Sequence, residues 1–434
     1  MTLFLEEIIE EFHREGLPRF SVRELGLPTH LDKAVTVIGL RRVGKTYLLY
    51  QTISALLDAG VDMGSVFYIN FEDERLADFT EEDFTRIVEL FYKKNPDSNM
   101  GYLFLDEIQN VHGWERFVRR LLERKRFRVF LTGSSSKLLG KEIATSLRGR
   151  SLSYHLFPLS FREFLDMKGF TLEKTLIERD RGRLKMHLDE YMAYGGFPET
   201  VDYERALKIR TLKEYLDMVV YKDLVERYGI EKVSAMRFLI RSLSMNFAKE
   251  TSVRKLHNFL ASSQHSLSKT KTYEYFSYLE DIGFVHPLRK FGQGLREIEG
   301  SVPKIYLVDV GFASLFGVED LGRRMENLVA IELLRCKHYR DPVREVHYWR
   351  TPRGEEVDFV VVKGREVVDL IQVTYASGRD EIDGREVRSL LKASKELGCR
   401  RLTVVTWDYE AREDRDGDTV SFVPLWKWLL EAGL

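Results

Sequence analysis

Four residues near the start of the chain could hold a polyphosphate. Gly39, Gly44, Lys45 and Thr46 fit the spacing G-x-x-x-x-G-K-[ST]. Glycines let a loop wrap until its amides point inward at phosphate oxygens. The Lys45 ammonium then reaches the outer phosphates, and the Thr46 hydroxyl can ligate Mg²⁺. A helix starting here would add its positive dipole end. Arg42 within the loop and Tyr47 just after it complete the set expected to touch the nucleotide.

Holding a triphosphate is not hydrolysing it, and hydrolysis needs a carboxylate. The apolar run Tyr102-Leu103-Phe104-Leu105 ends in Asp106-Glu107. A carboxylate at the end of a buried parallel strand lies at the edge where ligands bind. Asp106 is expected to hold Mg²⁺ through water, and Glu107 to orient and polarise the attacking water. Further on, VFLTGSSS ends in hydroxyls, so Ser134 or Ser135 could touch the γ-phosphate or the water. The stretch LRGR offers Arg148 and Arg150 as positive charge for the transition state, in cis or from a neighbouring subunit. The expected catalytic set is therefore Glu107, Lys45, Arg150 and Ser134.

These residues need a scaffold that brings strand ends together. AVTVIGL, SVFYINFED, GYLFLDEIQ and RVFLTGSSS read as strands, nearly all apolar. Between them lie helices such as YLLYQTISALLDAG, EEDFTRIVELFYKK and WERFVRRLLERK. In the second, Phe84, Ile87, Val88 and Phe91 form one stripe. The alternation predicts a parallel sheet covered by helices on both faces. It stops near Phe157, where helices follow, broken by YGGFPET.

The motifs GLRRVGKTYLL, LFLDEIQ, LTGSSSKLL, LRGRS, FPLSFREF and YGGFPE resemble those of a group of prokaryotic, largely archaeal, AAA+-like P-loop ATPases. That group joins its P-loop domain to a C-terminal half of unknown function, which KIYLVDVGFA, MENLVAIEL and EVDFVV resemble. The resemblance implies ATP as the nucleotide and Lys45, Thr46, Asp106 and Glu107 as functional positions. It also implies a winged helix and a restriction-endonuclease-like fold. The expected class is α/β: a P-loop domain over residues 1–156, a helical linker or lid over 157–229, a winged helix-turn-helix over 230–298 and a degenerate nuclease-like α/β domain over 299–434.

SVRKLHNFLASS and SLSKTKTYEYFSYLEDIGFV have the layout of a winged helix-turn-helix, with Leu256, Leu260, Tyr275, Tyr278, Leu279 and Ile282 as core. Ser268, Lys269, Lys271 and Thr272 would stand near the start of a recognition helix, with Arg289, Lys290 and Arg296 on a basic wing. Glu274, Glu280 and Asp281 dilute that charge, and such modules also bind proteins. Beyond it, Asp358 and Gln372 resemble the acid and the acid-or-Gln of a nuclease pattern, with Glu326 as the completing acid. The lysine of that pattern is Thr374, which carries no charge to stabilise phosphate; Lys392 is a candidate replacement.

A net charge of −1 excludes a uniformly basic nucleic-acid coat but not a local basic face. Charged residues make up 31%, as on the surfaces of thermophile proteins. The two cysteines offer no disulfide framework or zinc spacing. With no signal-like or bilayer-spanning run, the chain reads as cytoplasmic, without membrane partners. The expected function is a Mg²⁺-dependent ATPase, a switch or motor moving a C-terminal half on double-stranded DNA. The alternatives are an ATP-licensed nuclease and a nucleotide-gated protein adaptor, and an oligomer is compatible with each.

Overall fold

The structure, a computed structural model, describes all residues except 1, 98–99, 134–146, 148, 173–176, 264, 266, 293 and 432–434, and it leaves out the side chains of residues 2 and 3. The chain forms two compact units: residues 1–157 with 281–283, and residues 158–280 with 284–434.

The first unit is built on five parallel strands, β1 (Ala34–Ile38), β2 (Val66–Asn70), β3 (Gly101–Asp106), β4 (Phe127–Gly133) and β5 (Ser151–His155). Their order across the sheet is β2-β3-β4-β1-β5. Apolar composition gives the central strands their place: every residue of β1 is buried, as are all residues of β3 but Tyr102 and all residues of β4 but Arg128. The last strand escapes the apolar pattern. Its sequence SLSYH is polar and half exposed, as suits an edge. The helix Phe84–Lys94 buries Phe84, Ile87, Val88 and Phe91, the stripe its periodicity predicts. Thr80 and Asp83 form a capping box just before it. The helix Thr2–Glu15 adds Leu5, Ile8 and Ile9 to the same core.

The second unit opens with helices, among them Phe161–Met167, Glu178–Tyr194 and Arg205–Met218, the last continuing into a π-helical stretch, Val219–Val225. Next come the helix Val233–Met245, β6 (Lys249–Glu250), the helices Val253–Ala261 and Lys269–Asp281, β7 (Val285–Leu288) and β8 (Lys304–Leu307). The three strands form one antiparallel sheet, ordered β6-β8-β7. Pairing of β8 with both other strands carries this module past residue 298, where the sequence pattern places its end. The rest is a six-stranded sheet: β9 (Arg344–Arg350), β10 (Glu356–Lys363), β11 (Glu366–Val373), β12 (Leu402–Thr406), β13 (Ala411–Arg415) and β14 (Asp418–Pro424), in the order β13-β14-β12-β11-β10-β9. The helix Gly384–Leu397 crosses between β11 and β12, which pair in parallel.

Several motifs of the second unit hold the fold. Ser160 and Glu163 of FPLSFREF form a capping box. The buried Asp309 carboxylate accepts the Gly196 N–H at 2.8 Å and the Gly311 N–H at 2.7 Å, tying YGGFPE to VDVGFA. Asn327 clips both backbone groups of Leu307, each at 2.9 Å. Among the described residues no helix is long and apolar enough to cross a membrane.

Candidate active site

β1 ends at Ile38 and the helix Lys45–Asp58 follows, so residues 39–44 form the loop. Gly44 caps the helix at φ 98° and Arg42 stands at φ 68°, left-handed conformations that fold the loop back on itself. At Gly39 a Cβ would lie 2.4 Å from the Leu156 carbonyl oxygen, so only glycine fits. Arg23 braces the loop from outside. Its buried guanidinium donates to the carbonyls of Val43 (2.7 Å) and Phe157 (2.8 Å). No spacing signals that role; Arg23 is one arginine in an irregular segment.

Lys45 is 5% exposed, and its Nζ donates to the carbonyls of Gly39 and Leu40, both at 3.2 Å. Glu107 Oε1 lies 3.6 Å from the same nitrogen. The Thr46 hydroxyl donates to Asp106 Oδ2 at 2.7 Å. Tyr68, on β2, donates to the same oxygen at 2.8 Å, and Thr132 donates to Oδ1. Three hydroxyls thus surround one carboxylate that is 1% exposed. Burial pushes the Asp106 carboxyl up, against the hydrogen bonds from Thr132 and Thr46 that favour its charged form.

Glu107 sits at φ 50°, again left-handed. Its N–H donates to Thr132 Oγ1 at 2.9 Å, and Gln109 Nε2 donates to its Oε2. Thr132 therefore touches both acids. It does so because β4 lies between β1 and β3, so the end of β4 falls between the loop and the acids. The sequence pattern places candidate hydroxyls, Ser134 or Ser135, just after this strand. The hydroxyl found here is inside it, a polar residue in an apolar run being the available signal. Ser134, Ser135 and Arg148 lie outside the described residues. Tyr47 is half exposed and packs edge-on against Tyr50.

Arg150 is not brought to this site. Its carbonyl accepts the Ala34 N–H, which places it at the start of β1, whereas the phosphate loop follows the end of that strand. Five strand residues at ~3.3 Å each put the two about 16 Å apart. Its guanidinium pairs with Glu123 at 3.2 Å. The strand register thus places Arg150 at the opposite end of β1 from the phosphate loop of its own chain.

The C-terminal trio does converge. Gln372 Nε2 donates to Asp358 Oδ2 at 2.8 Å, and the Val373 N–H donates to the same oxygen at 3.0 Å. Glu326 lies across from them, joined through Lys304 Nζ, 3.0 Å from both Glu326 Oε1 and Asp358 Oδ1. Lys304 was not legible as a site residue; it is a single charge heading an apolar strand. Lys392 does not reach this place, because it pairs with Glu355 at 2.6 Å. Thr374 bonds to Glu386, whose carboxyl burial and then Asp358 push up to about 7. Among the described residues no group of three or more His, Cys, Asp and Glu side chains is arranged to hold a metal ion.

The module of β6, β7 and β8 alters one expectation. Thr272 is buried, donating to the Ser268 carbonyl at 3.0 Å, because positions 272, 275, 276 and 279 form the inward stripe of their helix. Lys271 pairs with Glu274 at 2.9 Å, and Arg289 with Glu299 at 3.2 Å. Arg254, Lys255, Lys269 and Tyr273 are exposed.

Residues 31–165 match a family described as AAA domain. Residues 185–321 and 321–428 match two families described as domains of unknown function, DUF8612 and DUF4143. Among similar solved structures, the Walker-type ATPase PABY2304 of Pyrococcus abyssi is 13% identical, with a TM-score of 0.40 over 73% of this chain and 94% of that one. The Aeropyrum pernix ORC2 protein, in ADPNP–ADP complexes, is also 13% identical, with a TM-score of 0.41 over 76% and 93%. An uncharacterized protein of Haemophilus influenzae is 28% identical, over 92% of this chain and 95% of its own. The uncharacterized protein MJ1544 of Methanocaldococcus jannaschii is 35% identical, over 99% of this chain and 95% of its own. The chain thus belongs to the same family as MJ1544, with a AAA-type P-loop ATPase domain followed by two domains of unknown function.

Proposed function

We propose that the protein is a Mg²⁺-dependent ATPase whose turnover drives a switch or motor in residues 158–434, working on DNA. The observation that carries the reading is the convergence of Lys45, Thr46, Asp106 and Glu107 at one end of the parallel sheet, with Thr132 joining the two acids. A buried carboxylate ringed by hydroxyls fits a cation, and Thr46 and Asp106 would hold Mg²⁺, which supplies positive charge to the β- and γ-phosphate oxygens. The loop amides and Lys45 grip the triphosphate, the lysine exchanging two carbonyl acceptors for phosphate oxygens. Glu107 accepts a hydrogen bond from water and aims it in line at the γ-phosphorus. As the new P–O bond forms, the bond to the β–γ bridging oxygen breaks, the water's proton passes to Glu107, and ADP and phosphate leave.

Glu107→Gln should keep ATP binding and lose at least ~100-fold in turnover, since the amide cannot take that proton. Undiminished turnover in this variant would remove the assigned role.

The DNA arm rests on element order. A helix, a short strand, two helices and a hairpin, with the first strand beside the last, support a winged helix. Its exposed Arg254, Lys255, Lys269 and Tyr273 suit a phosphate backbone. Duplex DNA should stimulate turnover, and its binding should weaken steeply with salt. The ion pairs of Lys271 and Arg289 favour a second reading, a protein-binding adaptor. No DNA affinity at low salt would decide for the adaptor.

A further inference from the structure

The acid cluster of the second unit is built around a side chain that none of the nuclease-like spacing points to. Lys304 opens β8 and is 4% exposed. Its Nζ has Glu356 Oε1 at 2.6 Å, Glu326 Oε1 at 3.0 Å and Asp358 Oδ1 at 3.0 Å. An ammonium has three protons and no acceptor, so three carboxylates consume its whole bonding capacity. The remaining groups are turned the same way. Tyr306 donates to Glu326 at 2.7 Å, and Gln372 and the Val373 N–H saturate the other oxygen of Asp358. The Tyr348 ring lies 5.8 Å from Nζ and presents its negative face to the same charge. Burial alone would lower the lysine, but Glu326, Asp358 and Glu356 hold it well above its usual range.

We propose that Lys304 is a tethered cation occupying the seat a divalent metal would take, so that the protein carries a pre-filled metal site. A metal bound to Asp358 Oδ1 and Glu326 Oε1 would need the two oxygens already spent on the ammonium. It would also stand against a like charge with nowhere to go, since Lys304 is enclosed in its sheet. The site therefore takes up no Mg²⁺ or Mn²⁺ while the ammonium is present. With the ammonium between them the three carboxylates are not arranged to hold a metal ion; once it is removed they are free to close on one, as the oxygen-only donor set that those hard ions prefer. The inference is independent of the ATPase reading, because its residues and its readout are separate from the phosphate loop.

The test is Mn²⁺ binding to the full chain without nucleotide, followed by electron paramagnetic resonance and by thermal unfolding. Wild type should show no Mn²⁺ site that Asp358→Asn removes. Lys304→Met should bind one additional Mn²⁺ per chain and rise in Tm with the metal. The double variant Lys304→Met/Asp358→Asn should lose that site. Should Lys304→Met be unfolded without metal, millimolar Mn²⁺ should restore its cooperative transition, a divalent cation standing in for the ammonium. The proposal is overturned by an Asp358-dependent Mn²⁺ site in wild type. It is equally overturned by a folded Lys304→Met that binds no more than wild type, or by an unfolded one that Mn²⁺ leaves unfolded.

Discussion

Replacing Thr132 by valine keeps the shape of a fully buried side chain and removes one hydroxyl. That hydroxyl makes two bonds. It donates to Asp106 Oδ1 and accepts the Glu107 N–H at 2.9 Å. A buried N–H left without an acceptor costs ~1–3 kcal/mol, and a donor lost from a carboxylate ~1.5–3 kcal/mol. Asp106 keeps the hydroxyls of Thr46 and Tyr68, which holds its share near the lower end. The expected loss of stability is therefore about 3 kcal/mol. The catalytic effect comes from position. Glu107 occupies a left-handed conformation, which costs ~1 kcal/mol or more, and its tie to Thr132 helps keep it there. Once released, the carboxylate drifts, and a displacement of ~1 Å can cost ~100-fold in rate. Turnover in Thr132→Val should fall ~30- to 100-fold, equivalent to ~2–3 kcal/mol in the barrier. Nucleotide affinity should change little, because the loop and Lys45 are untouched. Steady-state ATP hydrolysis, nucleotide titration and urea unfolding measure the three quantities. Thr132→Ser, which restores the hydroxyl, should recover most of the rate. A Thr132→Val protein with wild-type kcat, or one losing affinity in step with kcat, would refute the reasoning.

Two further outcomes concern the second unit. At Gly195, φ is 77° and an added Cβ would lie 1.6 Å from Asp309 Oδ1. Gly195→Ala should therefore cost more than ~3 kcal/mol in chemical denaturation, and a loss under ~1 kcal/mol would contradict the packing described. Burial pushes the Asp369 carboxyl from its ordinary 3.8 up to about 7, despite Arg401 nearby. The folded state then holds this proton more tightly than the unfolded chain. Its stabilisation is full below pH 3.8 and is lost as pH rises through about 7. Asn carries no such linkage, so Asp369→Asn should gain on wild type across that window, by up to ~4 kcal/mol. Unfolding midpoints at several pH values check this, and a constant offset between the two proteins would refute it.

Local patterns in the chain were enough to reveal the phosphate loop, the acidic strand end and the amphipathic helices. A loop that turns its amides inward needs glycine at set positions, and a helix or strand declares its buried face by its own period. These requirements act over a few neighbouring residues, so the residue types alone disclose them. Glu326, Asp358 and Gln372 are grouped in the sequence by their resemblance to a nuclease pattern, not by a local period. Other features depend on pairings between distant segments. The position of β4 between β1 and β3 sets Thr132 against both acids, and β2 brings Tyr68 to the same carboxylate. The polar edge strand β5 draws Arg150 to the far end of β1. Lys304 reaches three carboxylates only because β8 runs beside them. Sheet order and register are collective outcomes of burying every apolar face at once, and no local period records them. Sequence by itself therefore determined which groups are able to do chemistry, and the tertiary structure alone decided which of them meet.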